Sequence, residues 1–239
     1  MEFAGVPVTL ADIGPARLGA GAAFVLVARA DAVIAGLAPA RRALPPDEAA
    51  RIARFLQPQD RHEREAAHGL LRHLLGAELD RPPECLVLSR DAYDRPFLPE
   101  AHDLDLNLSH GAGWVAVGLA RAGRIGVDVE GADRPVDWDA VARQFLHPAE
   151  LAAYRSMPAA HRPARALELW SVKEAFVKAS GEGFSAAPRT LCLTEEAGTW
   201  SLAHRGRQLR AWSTRLPDGA RFAWAGEAHM RFRVVAARG

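Results

Sequence analysis

Arg124-Ile-Gly-Val-Asp-Val-Glu130 and Trp170-Ser-Val-Lys-Glu-Ala-Phe-Val-Lys178 are the stretches on which the reading of this chain turns. The first alternates apolar with acidic residues after a glycine, which is the period of a strand, so Asp128 and Glu130 point to one face. The second has helical spacing: Trp170, Glu174 and Lys178 recur every four residues and share a face, adding a third carboxylate and a cation. Singly, each pattern is common on solvated surfaces. Here Asp128 and Glu130 break an apolar run, and Glu174 is flanked by Trp170, Ala175, Phe176 and Val177. Carboxylates in such surroundings need partners.

Magnesium takes oxygen ligands, keeps several waters and is usually held by one or two carboxylates together with substrate phosphates. Asp128, Glu130 and Glu174 suit that role, and an acidic cluster beside lysines suits phosphate chemistry. His62-Glu-Arg-Glu-Ala-Ala-His68 lacks a second histidine four residues after the first, so the zinc-protease helix pattern is absent.

The chain has 239 residues, 49% of them hydrophobic, and a formal charge of +1, enough to bury one large core or two small ones. The small net charge argues against a nucleic-acid-binding protein. No apolar run is long enough to span a membrane, and the opening Met1-Glu-Phe-Ala-Gly5 lacks a basic signal-peptide region, so a cytoplasmic location is expected. With two cysteines a disulfide scaffold is unsupported; Cys85 and Cys192 lie in apolar strand-like runs and read as core residues.

Periodicity predicts a strand near 22–28, helices over 47–56 and 60–76, and strands at 85–88, 104–108 and 114–120. A second set follows: a strand over 124–130, helices over 138–145, 148–154 and 162–180 with Gly181 as cap, and strands at 191–194, 200–203, 209–213, 221–224 and 231–235. The fold class is α+β, in two halves, 1–120 and 121–239. Ser109-His110-Gly111 follows a strand, and Gly111 and Gly113 favour a tight reversal whose backbone N–H groups could cradle a phosphate.

Taken together and in order, these motifs resemble the phosphopantetheinyl transferases of the surfactin-synthetase-activating type. Gly126 to Glu130, followed some forty residues later by Trp170 to Lys178, is similar to that family's signature. Asn107-Leu-Ser-His-Gly-Ala-Gly-Trp-Val115 resembles its Asn-x-Ser-His-x-x-x-Trp-Val segment, and Tyr93-Asp-Arg-Pro96 its Tyr-Gly-Lys-Pro turn. The resemblance implies an enzyme that moves the phosphopantetheine arm of coenzyme A onto a serine of an apo acyl or peptidyl carrier protein, releasing adenosine 3′,5′-bisphosphate. It implies a monomer of two similar halves, an intramolecular pseudo-dimer with coenzyme A in the cleft between them.

By the same resemblance Asp128, Glu130 and Glu174 are magnesium ligands, Lys178 contacts the pyrophosphate, and Ser109 and His110 contact coenzyme A phosphates. Glu150, in Phe145-Leu-His-Pro-Ala-Glu150, and Glu174 are alternative bases for the serine hydroxyl. Arg51 and Arg64, by position, fall near the 3′-phosphate or adenosine. Arg95 replaces the family's lysine and keeps the charge with a different reach. Carrier proteins typically present an acidic helix, and Arg143, Arg155 and Arg165 are candidates to meet it. Which carriers are served, those of fatty acid, polyketide or nonribosomal peptide synthesis, is open. Two other readings use the same residues: a magnesium-dependent phosphohydrolase acting on a pyrophosphate, and a non-catalytic module that binds coenzyme A or a carrier.

Overall fold

The computed structural model describes residues 17–42, 44–182 and 187–237; the expectation for Met1–Gly5 lies outside them. Two compact units result, one of the described residues up to Gly123 together with those from Met230, the other Arg124–His229.

In the first unit, β1 (Ala22–Arg29) reads Ala-Phe-Val-Leu-Val-Ala-Arg after its first residue and is buried along its whole interior. That continuous apolar run suits a central strand covered on both faces. It pairs antiparallel with β5 (Trp114–Arg121) and parallel with β11 (Arg231–Ala236), and β5 pairs with β4 (Leu104–Gly111), giving the order β11-β1-β5-β4. Helix α1 (Ala30–Gly36) follows β1 directly and α2 is Pro46–Ala53. The long helix α3 (Pro58–Leu79) starts with proline at its first position, where the missing N–H costs nothing, and ends at Asp80 with a left-handed φ of 54°. Its Ala66, Leu70, Leu71, Leu74 and Leu75 form one core with Phe24, Leu26, Leu106, Val117 and Leu119. A two-stranded ribbon joins β2 (Ser89–Arg90) to β3 (Pro96–Phe97).

The second unit is an antiparallel sheet in the order β6-β10-β9-β8-β7, formed by β6 (Ile125–Glu130), β10 (Arg221–Glu227), β9 (Arg207–Arg215), β8 (Thr199–His204) and β7 (Thr194–Glu196). Helices α4 (Trp138–Phe145) and α5 (Pro148–Ser156) precede α6 (Arg162–Ser180), which Gly181 ends at φ 75°. Ala175, Phe176 and Ala179 of α6 join the core with Leu209, Ala211, Ala223 and Ala225. A Cβ on Gly126 would stand 2.0 Å from the Ala175 carbonyl oxygen and 2.6 Å from the Ala179 nitrogen. Only glycine lets the helix backbone lie this close to β6, and that approach sets Glu174 and Lys178 beside Asp128.

Several expectations need correction. The halves expected at 1–120 and 121–239 differ from the observed units, because the last strand adds to the first unit's sheet, where Val234 registers with Val25. The strand expected over 85–88 is absent: Pro82 and Pro83 cannot donate to a ladder, and Pro83–Cys85 forms a 3₁₀ turn instead. Helix α1 had not been expected. Cys85 and Cys192 are both exposed rather than in a core. Among the described residues no helix is long and apolar enough to cross a membrane.

Candidate active site

The strand period does what the sequence required: in β6 both Asp128 and Glu130 leave the same face, Asp128 being buried and Glu130 partly so. Lys178 Nζ donates to Asp128 Oδ1 at 2.8 Å and to the Val127 carbonyl at 3.0 Å. Glu130 Oε1 accepts from Trp170 Nε1 at 2.8 Å and from Arg134 Nη1 at 2.7 Å. The Trp170 ring is itself held edge-on by Phe145, with centroids 5.4 Å apart. Burial pushes the Glu174 carboxyl up to about 7, and the charges of Asp128 and Glu130 add to this against Lys178 and Arg134. Burial and Asp128 likewise raise Glu130. Asp128 acts on both glutamates, so the three carboxylates share one electrostatic neighbourhood.

Three mutually repelling carboxylates, partly withdrawn from water, are a donor set suited to a hard divalent cation, which would relieve the repulsion that raises Glu174. The fit is chemical rather than preassembled. Among the described residues, no three His, Cys, Asp or Glu side chains stand in an arrangement that could hold a metal ion, and Lys178 and Arg134 compensate Asp128 and Glu130. Arg134 was not anticipated. Its only sequence signal is its position four residues after Glu130, in a segment without regular structure.

Glu150 belongs elsewhere. Its Oε2 accepts from the His147 N–H at 2.9 Å, closing a capping box on α5, and its Oε1 accepts from the Leu193 N–H at 2.9 Å. The fully buried Lys173 Nζ lies 2.8 Å from Oε2 and also donates to the carbonyls of Pro188 and Leu191. A carboxylate so fully engaged holds α5, α6 and the 188–193 segment together. It lines an 800 Å³ cavity with Leu169 and Arg165, whereas Asp128, Glu130, Glu174 and Lys178 are not in that lining.

In the first unit, Ala112 and Gly113 have φ of 53° and 76° and connect β4 to β5 as a two-residue turn with both residues left-handed. Ser109 and His110 are neighbours in β4, so their side chains leave opposite faces, His110 on the α3 side with Leu106. The expected phosphate cradle is altered: the Gly113 N–H already donates to Glu63 Oε1 at 2.6 Å.

Arg51 lies 3.9 Å from Glu48 and 3.8 Å from Asp94, whose φ is 62° as the glycine position it replaces would require. Arg64 stacks on Phe55, 3.6 Å from the ring centre. Burial lowers the Arg64 and Arg90 guanidinium groups, and the charge of Arg51 acts on both in the same direction. Arg51 and Arg90 line a 520 Å³ cavity with Glu48 and Arg72. Arg90, too, was missed, since an arginine in a short ribbon carries no pattern. Arg95 is committed to Asp105, at 2.6 Å. Of the surface arginines expected to meet a carrier, Arg165 is bound to Glu168 and Glu195.

Residues 124–225 match the model of the 4′-phosphopantetheinyl transferase superfamily, and residues 34–121 that of the 4′-phosphopantetheinyl transferase N-terminal region. The chain is 30% identical over 142 residues to the 4′-phosphopantetheinyl transferase HetI of Nostoc sp., covering 58% of this chain and 60% of that one. It is 33% identical over 116 residues to the transferase psf-1 of Bacillus pumilus, covering 48% of each. With the transferase Sfp of Bacillus subtilis it shares 25% identity over 140 residues, 59% of this chain and 61% of that one. The matches thus span less than two thirds of these curated relatives. Both matched regions fall on the two units just described, and the chain belongs to the 4′-phosphopantetheinyl transferase superfamily.

Proposed function

We propose that this protein transfers the 4′-phosphopantetheine arm of coenzyme A to a serine of an apo acyl or peptidyl carrier protein, acting as a monomer in the cytoplasm. The observation that carries the reading is the partly buried cluster of Asp128, Glu130 and Glu174 beside Lys178 within the superfamily region. Magnesium held by the three carboxylates would supply charge neutralisation for the pyrophosphate. We further propose that the two units are halves of a pseudo-dimer sharing one coenzyme A. Each lays a long helix, α3 or α6, against its own sheet, which supports the kinship.

In this reading the serine Oγ forms a bond to the phosphorus next to pantetheine, the bridging P–O bond breaks, and adenosine 3′,5′-bisphosphate leaves. Glu174 takes the hydroxyl proton, since Glu150 is engaged by two backbone N–H groups and Lys173. Lys178 is the cation that turns from Asp128 toward the phosphates, and His110 serves a phosphate from the α3 face of β4, with Ser109 on the opposite face of that strand. Arg51, Arg64 and Arg90 receive the 3′-phosphate, their mutual repulsion being what an anion relieves. Arg95 orders the turn before β4 through Asp105 rather than through a phosphate.

Purified apo-carriers incubated with coenzyme A and magnesium should gain the mass of the phosphopantetheine arm. Adenosine bisphosphate released without any carrier would establish the phosphohydrolase instead, and coenzyme A binding without turnover the non-catalytic module.

A further inference from the structure

Glu63 takes no part in the chemistry above, yet it is a carboxylate only 3% exposed. It occupies the apolar stripe of α3, ahead of Ala66, Ala67 and Leu70. Its Oε1 accepts from Gly113 N at 2.6 Å and from Gln59 Nε2 at 2.9 Å, and its Oε2 lies 3.5 Å from His110 Nδ1. Burial alone would raise this carboxyl, but His110, Gln59 and the Gly113 N–H outweigh it and hold it below the ordinary range. The turn is gripped from its other side by Arg29, whose Nη1 donates to the Ala112 carbonyl at 3.3 Å, and by the Ala30 N–H, which donates to the Gly113 carbonyl at 2.8 Å.

An ionised carboxylate can only accept, so the imidazole nitrogen that faces it must carry a hydrogen. We propose that Glu63 is a positioning residue: it selects the Nδ1–H form of His110 and fixes the Ala112-Gly113 turn, so that Nε2 is the atom His110 presents to a phosphate of coenzyme A. The phosphate half of this inference rests on the transferase reading; the geometric half does not. When the ring gains its second proton, Nε2 becomes a donor while Glu63 balances the charge, the arrangement an anionic ligand needs.

Ring-nitrogen NMR of the full chain labelled with ¹⁵N-histidine, with imidazoles neutral and His110 assigned by His110→Gln, reads the tautomer directly. The wild-type ring should carry its proton on Nδ1. A wild-type Nε2–H form would overturn the proposal without need of any variant. In Glu63→Gln the amide can keep its oxygen on Gly113 N and turn its NH₂ to His110, which should move the proton to Nε2; an unmoved proton also overturns it. In transfer assays Glu63→Gln should raise KM for coenzyme A about tenfold with kcat changed less than about twofold, the loss of one charge-assisted contact, and Glu63→Asp should recover part of this. A fall in kcat at constant KM would mean a purely structural role and refute positioning. If the wild-type protein modifies no carrier, the transferase reading falls with the phosphate half, while the tautomer still decides the Glu63–His110 pair.

Discussion

Each unit buries a glutamate among charged neighbours, and the two are driven in opposite directions. In the first unit Glu48 lies 2.5 Å from His68 Nδ1 and 2.8 Å from Arg72 Nη2, and Arg72 also donates to the carbonyls of Pro83 and Leu86. Burial alone would raise Glu48, but these partners bring it down to about 2. In the second unit burial and two neighbouring carboxylates push Glu174 up to about 7. A satisfied buried charge ties α2 to α3 and to the 83–86 turn. An unsatisfied one marks a place where folding stability has been given up, and such places are where ligands bind.

Neutralising the two should therefore separate activity from stability. Glu174→Gln removes the proposed proton acceptor and should cut carrier modification by about 10²–10⁴-fold, while the melting temperature holds or rises because a repelled charge is gone. Activity near wild type, or a large drop in melting temperature, would break the contrast. Glu48→Gln should do the reverse. It leaves Arg72 and His68 buried without their anion, which costs about 3–5 kcal/mol of stability in denaturant titrations.

The same contrast has a pH signature. The folded Glu48 carboxyl stands at about 2 against an ordinary 4.5, so its contribution is full above 4.5 and is lost as pH falls toward 2. Over that window about 3 kcal/mol of stability should drain from the wild type. Glu48→Gln should show a flatter profile there, and parallel curves would show that Glu48 is not the group responsible.

Gly126 tests whether backbone proximity builds the acidic cluster. Its Cβ would collide with the Ala175 carbonyl oxygen at 2.0 Å, so Gly126→Ala should force α6 off β6 and cost about 1–3 kcal/mol. Transfer should fall more steeply than stability, because Glu174 and Lys178 ride on the displaced helix. An alanine tolerated with full activity would show that the close approach is incidental.

How far the sequence foretold this site depends on the range of the forces involved. The alternation that sets Asp128 and Glu130 on one face, and the four-residue spacing of Trp170, Glu174 and Lys178, are local periodicities and were visible in the chain. So were helices over 138–145 and 162–180 with the Gly181 cap, and most strands. What was hidden is set by partners distant in sequence. Glu150 matched a motif, but Leu193 and Lys173 gave it a structural task. Glu63 carries no pattern that marks it in the chain, because its partner Gly113 lies fifty residues on. The last strand's place beside β1 is likewise a pairing across the length of the chain, and the exposure of the cysteines follows from prolines and turns that local hydropathy does not register.

The smallest expected effect concerns Arg134, and it sharpens the contrast most cheaply. Its side chain is 39% exposed, and it meets Glu130 at 2.7 Å while lying over Trp170, 5.5 Å from the ring centre. An ion pair this open to solvent is worth about 0–1 kcal/mol, so Arg134→Gln should scarcely move the melting temperature in the absence of divalent ions. Burial is the main reason Glu130 and Glu174 are raised, and the Arg134 charge offsets the carboxylate repulsion that adds to it. Removing it makes the cluster more negative, so magnesium should raise the melting temperature of Arg134→Gln by more than that of the wild type. In Glu48→Gln, whose defect lies in the other unit, the magnesium increment should match the wild type. If magnesium shifts all three proteins alike, the ion is not read by the Asp128, Glu130 and Glu174 carboxylates, and the repulsion among them would have to be explained by something other than a cation site.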